Sequence, residues 1–149
     1  MQKGIRNYSH GVGQNAFHFV WKPKYAKDPF KFKIVREHCE QFLRDIAQKH
    51  RFVIYELQVM PDHIHLFVEV PHTMSVAKAL QLFKGGSAIK LFKQHPWLRK
   101  HFRNGHLWSP GKFFRSVGNV TTDVISHYIR ESQGSWKTPS FQQNLLNHF

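Results

Sequence analysis

The chain of 149 residues has a single cysteine, Cys39. That excludes an internal disulfide and any multi-cysteine zinc site, and it makes a reducing cytosol the expected compartment. No apolar run approaches the roughly 18 residues that a membrane span needs. Residues 1–6 carry no apolar signal core. Acidic side chains are the other scarcity: 9 Asp and Glu stand against 22 Lys and Arg, for a net charge of +13 with histidine neutral. Between Val70 and Thr122 there is no acid at all, while the same stretch holds Lys78, Lys84, Lys90, Lys93, Arg99, Lys100, Arg103, Lys112 and Arg115. Such a surface attracts polyanions, because each neutralised phosphate releases counterions. A merely soluble basic protein, or one that binds anionic lipid, is the competing reading.

Hydrophobic residues make up 41% of the chain and charged residues 21%, which is a globular composition. The length fits one domain, residues 1–149, with about 1–12 and 138–149 peripheral. Aromatics reach 15%, so rings are available for base stacking.

Residues 14–21 read as a strand, with Ala16, His18 and Val20 alternating with Phe17, Phe19 and Trp21. Asp28 and Pro29 read as an N-cap followed by proline at the first helical position. Val35, Cys39, Phe42, Leu43 and Ile46 recur at helical spacing, which predicts a helix over residues 29–49. Residues 52–60 and 64–70 read as two strands paired antiparallel across the Pro61-Asp62 turn. Ser75 can cap a helix that Gly85-Gly86 weakens and Pro96 ends. Residues 107–114 suggest a strand or a short irregular hairpin. Asn119 can cap a last helix carrying Val124, Ile125, Tyr128 and Ile129, which Gly134 stops. The order predicts an α+β fold: a ferredoxin-like, RRM-like antiparallel sheet with helices on one face, plus an added C-terminal helix carrying a tyrosine. The other sheet face is expected to be free for a ligand.

Strand residues two apart share a face, so His63, His65, Phe67 and Glu69 stand on one side and Ile64, Leu66, Val68 and Val70 on the other. Two imidazoles side by side suit a divalent metal. They are also what a chain with 12 histidines can present by chance. Tyr128 is either a covalent nucleophile, needing help because its free pKa is near 10, or a core-edge tyrosine.

The segments Pro61-Asp62-His63-Ile64-His65-Leu66, Lys84-Gly85-Gly86-Ser87, Leu107-Trp108-Ser109-Pro110-Gly111-Lys112 and His127-Tyr128-Ile129, with the opening Phe17-His18-Phe19-Val20-Trp21-Lys22-Pro23-Lys24-Tyr25, form an ordered set. The set resembles the single-tyrosine HUH transposases of the IS200/IS605 family over roughly residues 15–135.

The resemblance implies a homodimeric transposase that cuts and rejoins single-stranded DNA at hairpins near the ends of a mobile element, in a prokaryotic cytoplasm close to the nucleoid. It implies that His63 and His65 hold Mg2+ or Mn2+. It implies that Tyr128 forms a 5′-phosphotyrosine, and that active sites can be shared between subunits. In that family a glutamine four residues after the tyrosine completes the metal site. Here that position is Ser132. Gln133 stands at +5, which a regular helix turns about 140° away from Tyr128, although Gly134 can distort the last turn. Gln133 is the preferred third ligand, with Glu131 the alternative. Lys84, Lys90, Lys93, Arg99, Lys100, Arg103, Lys112 and Arg115 are the candidate DNA contacts.

Lesser expectations concern single residues. His127 is a proton shuttle or a surface histidine touching DNA. Glu69 is solvated or paired. Phe83 and Phe92 belong to the core, Trp108 could serve either core or DNA, and Cys39 should be inert. Three other functions compete: a domesticated hairpin-cutting relative, a non-catalytic RRM-like module binding single-stranded nucleic acid, and a metal-dependent hydrolase with water as nucleophile.

Overall fold

A computed structural model describes residues 5–24, 29–102, 104–118 and 120–133, with the side chains of residues 128–133 outside that description. The elements in chain order are β1 (Arg6–Tyr8), β2 (Gly11–Gly13), β3 (Ala16–Trp21), a 3-10 turn (Pro29–Lys31), α1 (Lys33–Lys49), β4 (Val53–Val59), β5 (Ile64–Glu69), α2 (Val76–Gln94), α3 (Leu98–His101), β6 (Phe113–Val117) and α4 (Thr122–Gln133). The main sheet has the order β4-β5-β3-β6, antiparallel throughout. This is the ferredoxin-like arrangement that the element order predicts.

One sheet face takes the large apolar side chains. Phe19 and Trp21 of β3 and Ile64, Leu66 and Val68 of β5 pack against Val35, Cys39 and Leu43 of α1 and Ala79, Leu80 and Phe83 of α2. The helices fit this face because their apolar residues recur every three to four positions. Gly85-Gly86 does not interrupt α2, and Ser75 caps it as expected, its hydroxyl accepting the Lys78 N–H at 3.1 Å. Gly86 has a packing reason: a Cβ there would lie 2.8 Å from Ile46 Cδ1 on α1, whereas one on Gly85 would meet nothing.

The second face is not free, contrary to expectation. Ala16, Phe67, Val120 and Ile125 form a smaller buried cluster, with Tyr55, Val117 and Val124 packed around it. The residues leading into α4 and its first turn bury their apolar side chains here, since water is the only alternative. Helices α1 and α2 thus cover one face and α4 the other. The cap of α4 is Thr121, whose hydroxyl accepts the Val124 N–H at 3.2 Å; Asn119 lies outside the described residues, as do Asp28 and Gly134. Helix α1 begins later than expected, at Lys33, after the Pro29–Lys31 turn. The four-residue α3 is an addition.

Within the first twelve or so residues, expected to be peripheral, Arg6–Tyr8 pairs with Gly11–Gly13 as the β1-β2 hairpin. Tyr8 meets His72 edge-on with ring centroids 3.8 Å apart, and Arg6 Nη1 donates to the Arg51 carbonyl at 2.8 Å. The chain then enters β3 past a buried carboxylate. Glu69 Oε1 accepts the Asn15 N–H at 2.6 Å and Oε2 accepts the Tyr55 hydroxyl at 3.2 Å. Tyr55 reaches it because β4 is irregular between Ile54 and Glu56. Glu69 is therefore paired and buried, not solvated.

Two outcomes follow from this packing. Gly85→Ala should stabilise the protein by about 1 kcal/mol through helix propensity alone. Gly86→Ala should fall short of that gain by about 1 kcal/mol or more, because Ile46 must give way. Urea titration of both variants measures the difference, and equal gains would contradict the close α1–α2 approach. The second outcome concerns Glu69. Burial raises its carboxyl above the ordinary 4.5, against the pull of the Asn15 and Tyr55 hydrogen bonds. A carboxyl raised in the folded state supports folding most when protonated in both states, and that support is lost as pH rises through the folded value. Glu69→Gln should therefore gain in Tm relative to the parent as pH rises from the ordinary carboxyl range into the neutral range. A Tm difference that is flat across that range contradicts it.

Candidate active site

Strand β5 is buried along its whole length, and its alternation divides the two faces. Ile64, Leu66 and Val68 point into the main core, so His63, His65 and Phe67 occupy the second face. His63 and His65 are 3% and 1% exposed, so this histidine pair is not the solvent-facing kind. His63 Nδ1 lies 2.8 Å from Asp62 Oδ1. That contact holds the Asp62 carboxyl below its ordinary value. Burial, with help from His18 and His63, pushes the His65 imidazole well below its ordinary value, so it is neutral at physiological pH.

A third histidine joins them. His18, on β3, pairs in register with Phe67 on one side and Arg115 on the other, while its neighbour Val20 pairs with His65. The His18 and His65 rings meet edge to face with centroids 4.0 Å apart. His18 is 3% exposed, and its pKa is lowered to about 3, first by burial and then by Arg115 and His63. Residues 16–20 alternate visibly in the sequence, but only the strand register brings His18 beside His65. Asp62 was visible in the same motif as the histidines; its carboxylate supplies the outer contact that metal-ligating imidazoles ordinarily make.

The donor set fits a divalent ion. One imidazole, His65, stands on a buried strand and is kept neutral by burial, and the other, His63 directly before the strand, is oriented by a carboxylate through Nδ1, which makes Nε2 of His63 the nitrogen that a metal would meet. Among the described residues, no three His, Cys, Asp or Glu side chains converge as a metal-holding group. Of the third-ligand candidates, Gln133 and Glu131 lie on α4 with their side chains outside the described residues, and so does the side chain of Tyr128. Helix α4 packs on β4, and Ile125, three residues before Tyr128, anchors it in the cluster with Phe67. His127 on the same helix is exposed.

The basic residues do not form one track. Lys84 is half-buried, its ammonium donating to the Ser109 carbonyl at 2.8 Å, and burial together with Lys112 lowers its pKa. It is a tether for the 107–111 segment, which Trp108 also fastens by donating Nε1–H to Ser87 Oγ at 3.0 Å. Trp108, like Phe83 and Phe92, is core. Lys90 lies over the Phe42 ring and Arg99 over Phe92; with Lys93 and Lys100 they sit on the α2–α3 side of the sheet. Lys112 and Arg115 are exposed beside and on β6, with Arg115 next to His18. Arg103 lies outside the described residues. Cys39 is buried, and burial pushes its thiol up, which keeps it inert. No helix among the described residues is long and apolar enough to cross a membrane.

Residues 12–132 match the protein family described as Transposase IS200 like. The ISDra2 transposase TnpA of Deinococcus radiodurans is 32% identical over 133 residues, covering 89% of this chain and 91% of the relative. The transposase for insertion sequence element IS200 of Salmonella typhimurium is 31% identical over 131 residues, 86% of each chain. Among solved structures, a transposase candidate from Deinococcus radiodurans superposes with TM-score 0.67 at 26% identity, covering 85% of this chain and 97% of that one. A REP-associated tyrosine transposase bound to a REP hairpin shares the fold, with TM-score 0.54 at 16% identity over 91% of this chain and 76% of that one. The histidine pair at the start of β5, the tyrosine-bearing α4 packed on the same sheet face and the matches along nearly the whole chain agree: this chain belongs to the IS200-like transposase family of the IS200/IS605 group.

Proposed function

We propose that this transposase cuts and rejoins single-stranded DNA at hairpin-marked ends, with Tyr128 as nucleophile and with His63 and His65 as ligands of a Mg2+ or Mn2+ ion. The observation that carries the reading is the pair of buried imidazoles, His65 on β5 and His63 directly before it, one braced by Asp62, on the sheet face against which the tyrosine-bearing α4 packs through Ile125. Gln133 is the proposed third ligand, with Glu131 the alternative. When bound, the ion supplies charge stabilisation to the phosphate oxygens in the transition state.

The chain's own part is nucleophilic. The Tyr128 oxygen attacks the scissile phosphorus, and the bond from phosphorus to the 3′ oxygen breaks. One strand leaves with a 3′-OH, and the other stays attached to the tyrosine through its 5′ phosphate. Attack by a 3′-OH on that linkage restores a phosphodiester and frees the tyrosine, so joining needs no nucleotide energy source. Arg115, next to His18, is proposed to meet the DNA backbone near the cut, and exposed Lys112, before β6, a neighbouring phosphate. Lys90, Lys93, Arg99, Lys100 and Arg103 would meet more distant phosphates, and Lys84 contributes by holding its loop.

The test is a covalent-adduct assay. Labelled single-stranded DNA from the flanks of the gene is incubated with protein and Mn2+ and resolved on a denaturing gel. Wild-type protein should give a metal-dependent adduct, and Tyr128→Phe or EDTA should abolish it. Cleavage that persists in Tyr128→Phe would assign the reaction to water. Binding without adduct or cleavage would favour the non-catalytic module. His63→Ala and His65→Ala should lose cleavage by several orders of magnitude while retaining most of their DNA affinity.

A homodimer with sites shared between subunits is part of the proposal. Mixing Tyr128→Phe with His65→Ala protein should then restore cleavage, because one composite site in the mixed dimer keeps both groups. No recovery from a mixture shown to exchange subunits would place each site within one chain.

A further inference from the structure

We infer that His18 is a positioning residue that fixes the ring of His65 in the orientation its role demands, and that it acts through ring contact rather than as a metal ligand. His18 sits on β3, a strand paired on both sides, between β5 and β6. Its ring is held from both directions: His65 meets it at 4.0 Å and 79°, and Phe113 of β6 meets it at 6.0 Å and 76°. An apolar side chain would be the cheaper occupant of this buried position between Ala16 and Val20. An imidazole ligand is useful only if its ring is held within about 10–20° of the required orientation. A tightly packed edge contact from a strand that cannot shift supplies that constraint. Asp62 does the same for His63 by a hydrogen bond, so the two imidazoles have two different braces. Among the described residues no three His, Cys, Asp or Glu side chains form a metal-holding group, so His18 does not complete a three-histidine site with His63 and His65.

The inference builds on the proposed role of His65, and the experiment separates the two. The full chain, labelled with 15N, is examined without metal for the ring resonances of His65, and Mn2+ affinity is measured by the paramagnetic signal of the free ion. His18→Ala should replace the single set of His65 ring signals with broadened or doubled ones and weaken Mn2+ by about 10- to 100-fold. His18→Leu, which refills most of the volume without a ring nitrogen, should lie closer to wild type than to His18→Ala. Unchanged His65 signals in His18→Ala overturn the inference. So does a His18→Leu loss of Mn2+ as large as that of His65→Ala, which would make His18 a ligand. If His18→Ala does not fold, Phe113→Ala, at a half-buried position on the sheet edge, reads the same contact from behind. Disturbed His65 signals then support the inference and unchanged ones overturn it. Wild-type Mn2+ affinity in His65→Ala would remove the metal reading, while disturbed His65 signals in His18→Ala would still uphold the positioning role.

Discussion

Burial of β5 on both faces is the constraint on which the rest depends. A strand in the middle of an antiparallel sheet can leave one face to water, and then alternation alone settles which residues are apolar. Here neither face is left open. Ile64, Leu66 and Val68 fill the space under α1 and α2, and Phe67 anchors the smaller cluster that holds α4. His65, on this strand, and His63, directly before it, are therefore fixed by a strand that cannot move without disturbing both cores. Their burial is costly for imidazole, and it is the price that makes one of them a neutral donor at physiological pH.

The same arrangement lets the proposed site draw on distant parts of the chain. Asp62 arrives with the turn before β5, His18 with β3, Arg115 with β6, and Tyr128 with a helix that has its own apolar anchor in Ile125. Apart from Asp62, which sits in the short turn before β5, each is carried by regular structure rather than by a long loop, which suits chemistry that depends on angles as much as on distances. The 107–111 segment lies outside the named strands and is tied to residues 22–24 by a Pro23–Trp108 bridge, the Lys24 N–H donating to the Leu107 carbonyl at 2.7 Å and the Ser109 N–H to the Lys22 carbonyl at 2.9 Å. Lys84 and Ser87 of α2 fasten it through the Ser109 carbonyl and the Trp108 indole. The ordered pieces of sequence that mark the family are thus partly chemical and partly the fastenings that keep the sheet edge in place.

Much of this was legible beforehand, and what was not has physical causes. Alternation places His63 and His65 on the face opposite Ile64 and Leu66, and helical spacing places Val35, Cys39 and Leu43 toward the sheet. The ferredoxin-like order follows from the succession of strands and helices. Register is different. His18 lies more than 40 residues from His65, and nothing local says that Val20 pairs with His65 and puts His18 beside it. Linear charge was misleading in a similar way: the acid-free stretch looks like one basic surface, but the fold distributes it over both sides of the sheet and commits Lys84 to a carbonyl. The β1-β2 hairpin has too few residues and too much glycine for a strand signal, and its contacts are with residues from the other half of the chain's first 75. Thr121 caps α4 directly after Val120 enters the second cluster.

The central claim is that the second sheet face is a metal-dependent site built on β5. Anomalous scattering from crystals of the protein grown with Mn2+ tests it most directly. The account predicts a manganese peak within bonding distance of both the His63 and His65 rings, present in the wild type and absent in His65→Ala crystals. Manganese bound only elsewhere on the protein, with the two histidines refined in the same places and touching no metal, would contradict it.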